Sequence, residues 1–121
     1  MLMYARDNDA GAADLQQHLP ADSQVEAATE MLRMLADGTR LRLMRLLTDG
    51  EHDVTTLVTA LGVARPAVSQ HLAKLRLAGL VTARREGRRS LYTARGGHVR
   101  RLVTEVLHAA SHRVTGLPDH E

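Results

Sequence analysis

Apolar side chains along this chain recur mainly at helical spacing, in five stretches separated by polar or glycine-containing breaks. The first stretch begins at Asp22 or Ser23, where Ser23 is placed to cap the helix and Glu26 follows three residues later. The second begins after a Thr39 cap, and the third begins at Asp53. The apolar stripes of the five predicted helices are Val25, Ala28, Leu32 and Leu35; Leu41, Met44 and Leu47; Val54, Leu57, Val58 and Leu61; Val68, Leu72 and Leu75; and Val99, Leu102, Val103, Val106, Leu107 and Ala110.

Between the fourth and fifth helices the spacing changes to that of short strands. In the stretch "LVTARREGRRSLYTA", Val81 on one side and Leu91 and Tyr92 on the other flank a charged tip at Glu86 and Gly87. Apolar segments on both sides of a glycine-containing tip predict a β-hairpin. The predicted fold class is therefore mostly α with a small β-hairpin, an α+β arrangement.

The length of 121 residues is enough for one domain and too short for two separate cores. We expect a flexible or partly helical arm over residues 1–19, a folded domain over 20–114 and a tail over 115–121, because neither end has a sustained apolar period. The chain has no run of about 18 apolar residues, and its start lacks the apolar stretch of a secretory signal. These features predict a cytoplasmic protein.

The charge pattern favours a polyanionic partner. The formal net charge is only +2, but nearly all basic residues are arginine, with Lys74 the single lysine, and four arginines lie in "RREGRR", residues 84–89. Aromatic residues are limited to Tyr4 and Tyr92, so the stacking surfaces typical of proteins that bind single strands or RNA are missing. If nucleic acid is the partner, the sequence favours duplex DNA.

Two helices joined by a short turn and followed by a basic hairpin are typical of a winged helix-turn-helix. With Val68, Leu72 and Leu75 packed inward, the remaining polar positions of the fourth helix turn toward solvent, and His71 lies between the two faces. An isolated arginine cluster is more often a solvated surface, but its position directly after this motif favours DNA binding. The candidate DNA-binding residues are Arg65, Ser69, Gln70, His71 and Lys74 on the helix and Arg84, Arg85, Arg88 and Arg89 on the hairpin.

The segments "MLADGTRLRLMRLL" and "VTTLVTALGVARPAVSQHLAKLRLAGLVTARREGRRSLYT" resemble the ArsR/SmtB family of winged-helix repressors, over about residues 22–113. The most specific part is "SQHLAKLRLAGLV", in which Ser69, Gln70 and His71 match the segment with which the family contacts bases. One departure is Gly38, where the family usually has proline. The resemblance implies a homodimer, formed by the first and last helices, that occupies a pseudo-palindromic operator and leaves it when an inducer binds.

Three histidines lie on one polar face of the last helix, namely His98, His108 and His112, at 100° per residue. His98 and His112 are 14 residues apart, roughly 21 Å along a helix, so one ion cannot bridge them within one chain. If two such helices cross antiparallel at a twofold axis, His98 of one subunit meets His112 of the other. Alternatively, His108 and His112 could chelate an ion within one helix, with Glu105 one turn away.

Family members with a metal site on this helix carry Asp-x-His and, further on, His-x-x-His or His-x-x-Glu. Here His98 and His112 match, whereas Gly96 stands at the Asp position and Ala109 at the second His position. The family's nickel and cobalt sensors recruit further ligands from the chain ends, and this chain ends in "GLPDHE". The resemblance is closest to that subgroup, with zinc as a further candidate ion. The candidate metal ligands are His98, His108, His112, His120 and Glu121.

Other functions are less consistent with the composition. The absence of cysteine excludes disulfides and thiolate metal sites. We find no nucleophile motif, clustered carboxylate pair or phosphate-binding glycine loop, so we do not expect an enzyme. Two alternatives remain open: a DNA-binding repressor of the same family with a non-metal inducer or none, with solvated surface histidines, and a metal-storage or delivery protein.

Overall fold

The structure, a computed structural model, describes residues 11–116 and consists mainly of helices with a small antiparallel sheet. The predicted fold class is confirmed. The division into an arm, a domain and a tail stays a prediction. Helical backbone covers residues 11–16, and the elements that follow are α1 (Asp22–Leu35), α2 (Gly38–Asp49), β1 (His52–Asp53), α3 (Val54–Leu61), α4 (Arg65–Leu77), β2 (Val81–Glu86), β3 (Arg89–Ala94) and α5 (Gly96–Thr115).

Two of the predicted helix caps are wrong. Helix α1 begins one residue before Ser23, after an extended Ala21 that makes no side-chain cap. Helix α2 is capped by Asp37 rather than Thr39, because the Asp37 carboxylate accepts a hydrogen bond from the backbone N–H of Arg40 at 3.0 Å. The third helix, predicted to begin at Asp53, begins one residue later at Val54, and Asp53 caps it because its carboxylate accepts the backbone N–H of Thr56 at 2.8 Å.

The sheet has the strand order β1-β3-β2, and both pairs of neighbouring strands are antiparallel. The hairpin pairs Val81 with Ala94 at its base and Glu86 with Arg89 at its tip, where Gly87 adopts a positive φ of 63°. The two-residue strand β1 was not predicted. It is too short to carry an alternating pattern, and it pairs with the middle of β3.

The core lies between α2, α3, α4 and the base of the hairpin. The stripe predicted for α4 is confirmed, because Val68, Leu72 and Leu75 are fully buried. In α2 the predicted stripe is confirmed, because Met44 and Leu47 are fully buried and Leu41 packs partly buried against the core, whereas the full burial of Leu43 was not predicted. The core residues are Leu35, Leu43, Met44, Leu47, Leu57, Val68, Leu72, Leu75, Leu80, Val81, Ala94, Val99 and Val103.

Helices α1 and α5 bury little of their predicted apolar stripes. Leu35 is the only buried residue of α1, and Val99 and Val103 are the only buried residues of α5. Leu32 of α1 is 56% exposed and Val106 of α5 is 47% exposed. Both helices therefore present apolar side chains that no residue between 11 and 116 of the same protomer covers. Across residues 11–116, no helix has the length and apolar character needed to cross a membrane.

Arg100 joins α5 to the rest of the domain through its guanidinium group. This partly buried group donates hydrogen bonds to the backbone oxygen of Thr48 at 2.6 Å, to Thr93 Oγ1 at 3.0 Å and to the backbone oxygen of Ala94 at 2.9 Å. The three acceptors belong to the end of α2 and the end of β3. Arg100 thus fixes the start of α5 against two elements of the core.

Replacing Arg100 by methionine is expected to lower the free energy of unfolding by about 2 kcal/mol, because partly buried acceptors lose a charged donor. A loss of this size corresponds to a drop in Tm of roughly 10 °C for a domain of this length. Thermal unfolding followed by circular dichroism at fixed protein concentration measures it. The control is Arg101→Met on the same helix, whose only side-chain contact in the described residues is His98. Equal destabilisation by both variants would contradict the role of Arg100.

Candidate nucleic-acid interface

Helix α4 presents a polar face to solvent because its apolar side chains are packed inward. Helix α3 ends at Leu61 and is followed by Gly62, which has a positive φ of 66°, and the short connection after it leads directly into α4. Ser69, Gln70 and Lys74 are exposed and have no side-chain partner within residues 11–116. Hydroxyl, amide and ammonium groups displayed on one helix face are suited to base edges and phosphates.

Two other predicted residues of α4 have partners inside the protein. Arg65 donates a hydrogen bond to Thr55 Oγ1 at 2.6 Å, which links the start of α4 to α3. His71 is partly buried, and its Nδ1 accepts a hydrogen bond from the guanidinium of Arg40 at 3.3 Å. Arg40 also donates to the backbone oxygen of Met34 at 2.6 Å. Contact of His71 with DNA stays a prediction, and its observed contact joins α4 to the start of α2.

Asp37 completes the polar cluster at the start of α2. The hydrogen bond from the backbone N–H of Arg40 lowers the pKa of this carboxyl below its usual range, and the nearby Arg40 guanidinium acts in the same direction. Asp37 is therefore ionised at neutral pH.

The four arginines of the hairpin fall into two pairs with different surroundings. Arg84 donates to both carboxylate oxygens of Glu51 at 2.7 and 2.8 Å and to Glu86 at 3.1 Å. Arg89 donates to Glu86 at 3.1 Å and to Asp53 at 3.3 Å. All four are predicted from the sequence to contact DNA, whereas the structure gives two of them carboxylate partners.

The other two arginines, Arg85 and Arg88, are exposed and form no ion pair with any residue between 11 and 116. Arg88 also lines a cleft of about 270 Å³ between the hairpin and the starts of α3 and α4. Arg65 and Arg89 line the same cleft, and so does Asp53, whose carboxylate pairs with Arg89. The guanidinium groups of Arg65 and Arg88, which have no carboxylate partner in the described residues, favour an anion such as a DNA phosphate at this opening.

The acidic partners of the hairpin arginines were missed by sequence reasoning. Glu51 and Asp53 are 33 and 36 residues away from Arg84 and Arg89 in the chain, and the pairing of β1 with β3 brings them close. Only Glu86 stands within the arginine cluster itself. No local pattern distinguishes the compensated arginines from the free ones.

The predicted metal-binding histidines lie on α5. His98 is exposed, and its Nδ1 accepts a hydrogen bond from Arg101 at 3.1 Å. Because a guanidinium only donates, the other ring nitrogen, Nε2, carries the proton of the neutral imidazole. Binding of a metal by neutral His98 through either ring nitrogen therefore requires the hydrogen bond from Arg101 to break, because the metal takes the lone pair of Nδ1 or the proton moves from Nε2 to Nδ1.

His108 and His112 are neighbours on the same helix, with ring centroids 5.8 Å apart and ring planes inclined by 33°. Within residues 11–116 of one protomer, the structure contains no group of three or more side chains placed to hold a metal ion. The intrahelical arrangement with Glu105 as a third ligand is therefore not formed. The two remaining predicted ligands, His120 and Glu121, lie outside the described residues.

The helix-turn-helix, the polar face of α4 and the basic hairpin define a winged helix-turn-helix DNA-binding regulator. The chain belongs to the ArsR family, since residues 37–83 match the model of the bacterial regulatory proteins of that family. It is 44% identical over 99 residues to the HTH-type transcriptional regulator KmtR of Mycobacterium tuberculosis, covering 82% of this chain and 76% of KmtR. It is 38% identical over 101 residues to the regulator NmtR of the same organism, covering 83% of this chain and 84% of NmtR.

A solved structure agrees with this assignment. The homodimeric winged helix-turn-helix DNA-binding domain of Mb0332 from Mycobacterium bovis superimposes with a TM-score of 0.74 at 32% sequence identity. The match covers 84% of this chain and 97% of that domain. Together the matches confirm the family that the sequence analysis identified from its motifs.

Proposed function

We propose that this chain represses transcription by binding operator duplex DNA as a homodimer. We further propose that it leaves the DNA when nickel or cobalt, or as a further candidate zinc, binds to histidines of α5. The observation that carries the DNA-binding part is the uncompensated positive charge of Arg85 and Arg88 on the hairpin, together with the exposed polar face of α4. We propose no enzymatic activity for this member of a family of transcription regulators.

The homodimer is supported by the uncovered apolar faces of α1 and α5. Burying such faces against a second copy removes apolar surface from water, which is the main driving force of association. The Mb0332 domain, a homodimer, shares the fold. Two copies of α4 on one dimer would contact two half-sites of a duplex, in accordance with the symmetry of a pseudo-palindromic operator.

The metal-responsive part is supported by the donor chemistry of α5 and of the C-terminal residues. Imidazole and carboxylate donors without thiolate suit nickel, cobalt or zinc. His98 and His112 are too far apart along the helix to share an ion within one protomer, so the proposed site takes one from each subunit. A bound ion would supply a link between the two α5 helices. Release of DNA then requires that metal binds more tightly to a dimer geometry that does not fit DNA than to the geometry that does.

The alternative is a repressor of the same family with a non-metal inducer or none. The contact between Arg101 and His98 favours this alternative, because it occupies one ring nitrogen and fixes the proton on the other. A storage or delivery protein fits less well, since that function needs neither the hairpin arginines nor the exposed face of α4.

The proposed function is tested by measuring the affinity of the full-length protein for a duplex that it selects from a random-sequence pool. We expect nickel or cobalt to weaken binding by about 5- to 150-fold, the usual range of coupling between two sites. The double variant His98→Ala/His112→Ala should bind DNA as the unsubstituted protein does in the absence of metal and should no longer respond to it. The control is His52→Gln, a histidine of β1.

Each outcome has a defined meaning. If metal weakens DNA binding equally in the protein and in the double variant, the proposed α5 site is wrong. If metal has no effect while duplex binding persists, the alternative without a metal inducer is correct. If no duplex is selected at all, the DNA-binding proposal itself fails.

A further inference from the structure

Five charged side chains form a continuous chain of ion pairs along the hairpin. Their order is Glu51, Arg84, Glu86, Arg89 and Asp53, with carboxylates and guanidiniums alternating. Glu51 and Asp53 come from the segment around β1, whereas the other three belong to β2 and β3. Because three carboxylates face two guanidiniums, Arg84 and Arg89 add no net positive charge to this part of the surface.

The contact between Arg84 and Glu51 is the closest of these pairs. Both guanidinium donors reach separate oxygens of one carboxylate, a bidentate geometry that is stronger and more directional than a single hydrogen bond. Arg84 is 54% exposed and Glu51 is 37% exposed, so the pair lies at the surface, where DNA can compete for it. Hydrogen bonding from Arg84 lowers the pKa of the Glu51 carboxyl, so that Glu51 is ionised at neutral pH.

A DNA phosphate could take the Nε and Nη2 donors of Arg84, the edge that binds an anion in a bidentate manner, only by displacing Glu51. The exchange would replace one anionic partner with another and would leave the freed carboxylate close to the polyanionic backbone, where like charges repel. Arg89 is held in a similar way, because its partner Asp53 is only 17% exposed and also caps α3. Arg85 and Arg88 face no such competition within the described residues.

We propose that Glu51 holds Arg84 out of DNA binding, so that the hairpin contacts phosphate through Arg85 and Arg88 and not through Arg84. This assignment rests on the proposed binding of duplex DNA. Glu51 is then a positioning residue that limits how tightly the protein holds DNA of any sequence. The segment before β1 thereby sets the balance between non-specific and specific binding, since phosphate contacts carry no sequence information.

The test measures how the affinity for DNA depends on salt concentration, because the steepness of this dependence is proportional to the number of phosphate contacts. The full-length protein is titrated with a random-sequence duplex of about 30 base pairs over a range of salt concentrations, and the logarithm of the affinity is plotted against that of salt. We expect Arg84→Gln to leave the slope nearly unchanged, because Arg84 contacts no phosphate, and to weaken the affinity only by about two- to fivefold, through the freed carboxylate of Glu51. We expect Glu51→Gln to steepen the slope by about 0.9 per protomer, because Arg84 becomes free to bind phosphate.

The double variant Glu51→Gln/Arg84→Gln separates this mechanism from a general charge effect. It should return to the slope of the unsubstituted protein. Glu30→Gln is the matched control, because it removes the same charge from an exposed pair with Arg33 in α1. Circular dichroism of each variant verifies that the fold is kept.

Two results would overturn the assignment while leaving duplex binding intact. One is a slope that falls by about 0.9 per protomer in Arg84→Gln, since Arg84 would then contact phosphate directly. The other is an equal effect of Glu51→Gln and Glu30→Gln. A protein that binds no duplex in a salt-dependent manner would remove the proposed function and this assignment together.

Discussion

Replacing Leu32 and Val106 together by glutamate is expected to convert the proposed dimer into monomers and to weaken binding of the selected duplex by about 100-fold or more. Both side chains are about half exposed in one protomer, on the uncovered faces of α1 and α5. A carboxylate at each position would be buried unpaired in a dimer interface, which is strongly unfavourable. A monomer also loses the second α4, so its binding no longer gains from a high effective concentration at the other half-site.

The mass in solution is measured by light scattering and the affinity by titration of the selected duplex. Leu77→Glu is the control for the mass, because Leu77 is the most exposed large apolar residue of α4 and lies on neither apolar face. A dimer that persists in the double variant would place the interface elsewhere. A monomer with undiminished affinity would contradict two-site binding.

Replacing Arg85 and Arg88 together by glutamine is expected to weaken duplex binding by about 10- to 100-fold at 0.1 M salt. The slope of affinity against salt should become shallower by about 0.9 for each arginine in each protomer. The reason is that these two guanidiniums have no carboxylate partner in the described residues, so their charge is available to phosphate.

The matched control is Arg42→Gln/Arg45→Gln, which removes the same charge from the surface of α2. Arg45 already pairs with Asp49 at 2.7 Å, so its loss should change the salt slope little. If both double variants lower the slope equally, the protein is held by diffuse charge rather than by the hairpin. If neither does, the hairpin does not contact DNA.

The sequence by itself determined the helices, the hairpin and the family. Helical periodicity, strand-like segments around Gly87 and the cap at Asp53 are local signals, so a single pass along the chain is enough to find them. The buried stripe of α4 also followed from spacing, because an amphipathic helix has one apolar side. With Val68, Leu72 and Leu75 inward, Ser69, Gln70 and Lys74 had to face solvent.

The errors at the helix starts have a common physical cause. Ser23 and Thr39 are both good capping residues, but a cap is set by the backbone conformation and by which side chain reaches an unpaired N–H. Asp37 precedes Thr39 by two residues and makes that contact. Hydrophobic periodicity alone does not show which of two capping residues, only two positions apart, caps the helix.

Only the tertiary structure decided which charged side chains are available to bind DNA and which histidines are available to bind metal. Glu51 and Asp53 compensate Arg84 and Arg89 because strand β1 pairs with β3, a contact that spans more than 30 residues. The exposed stripes of α1 and α5 also depend on tertiary contacts. Periodicity identifies the apolar face of a helix but does not show which other segment covers that face. Local spacing determines which way a side chain faces, whereas its partner depends on which distant segments the fold brings beside it.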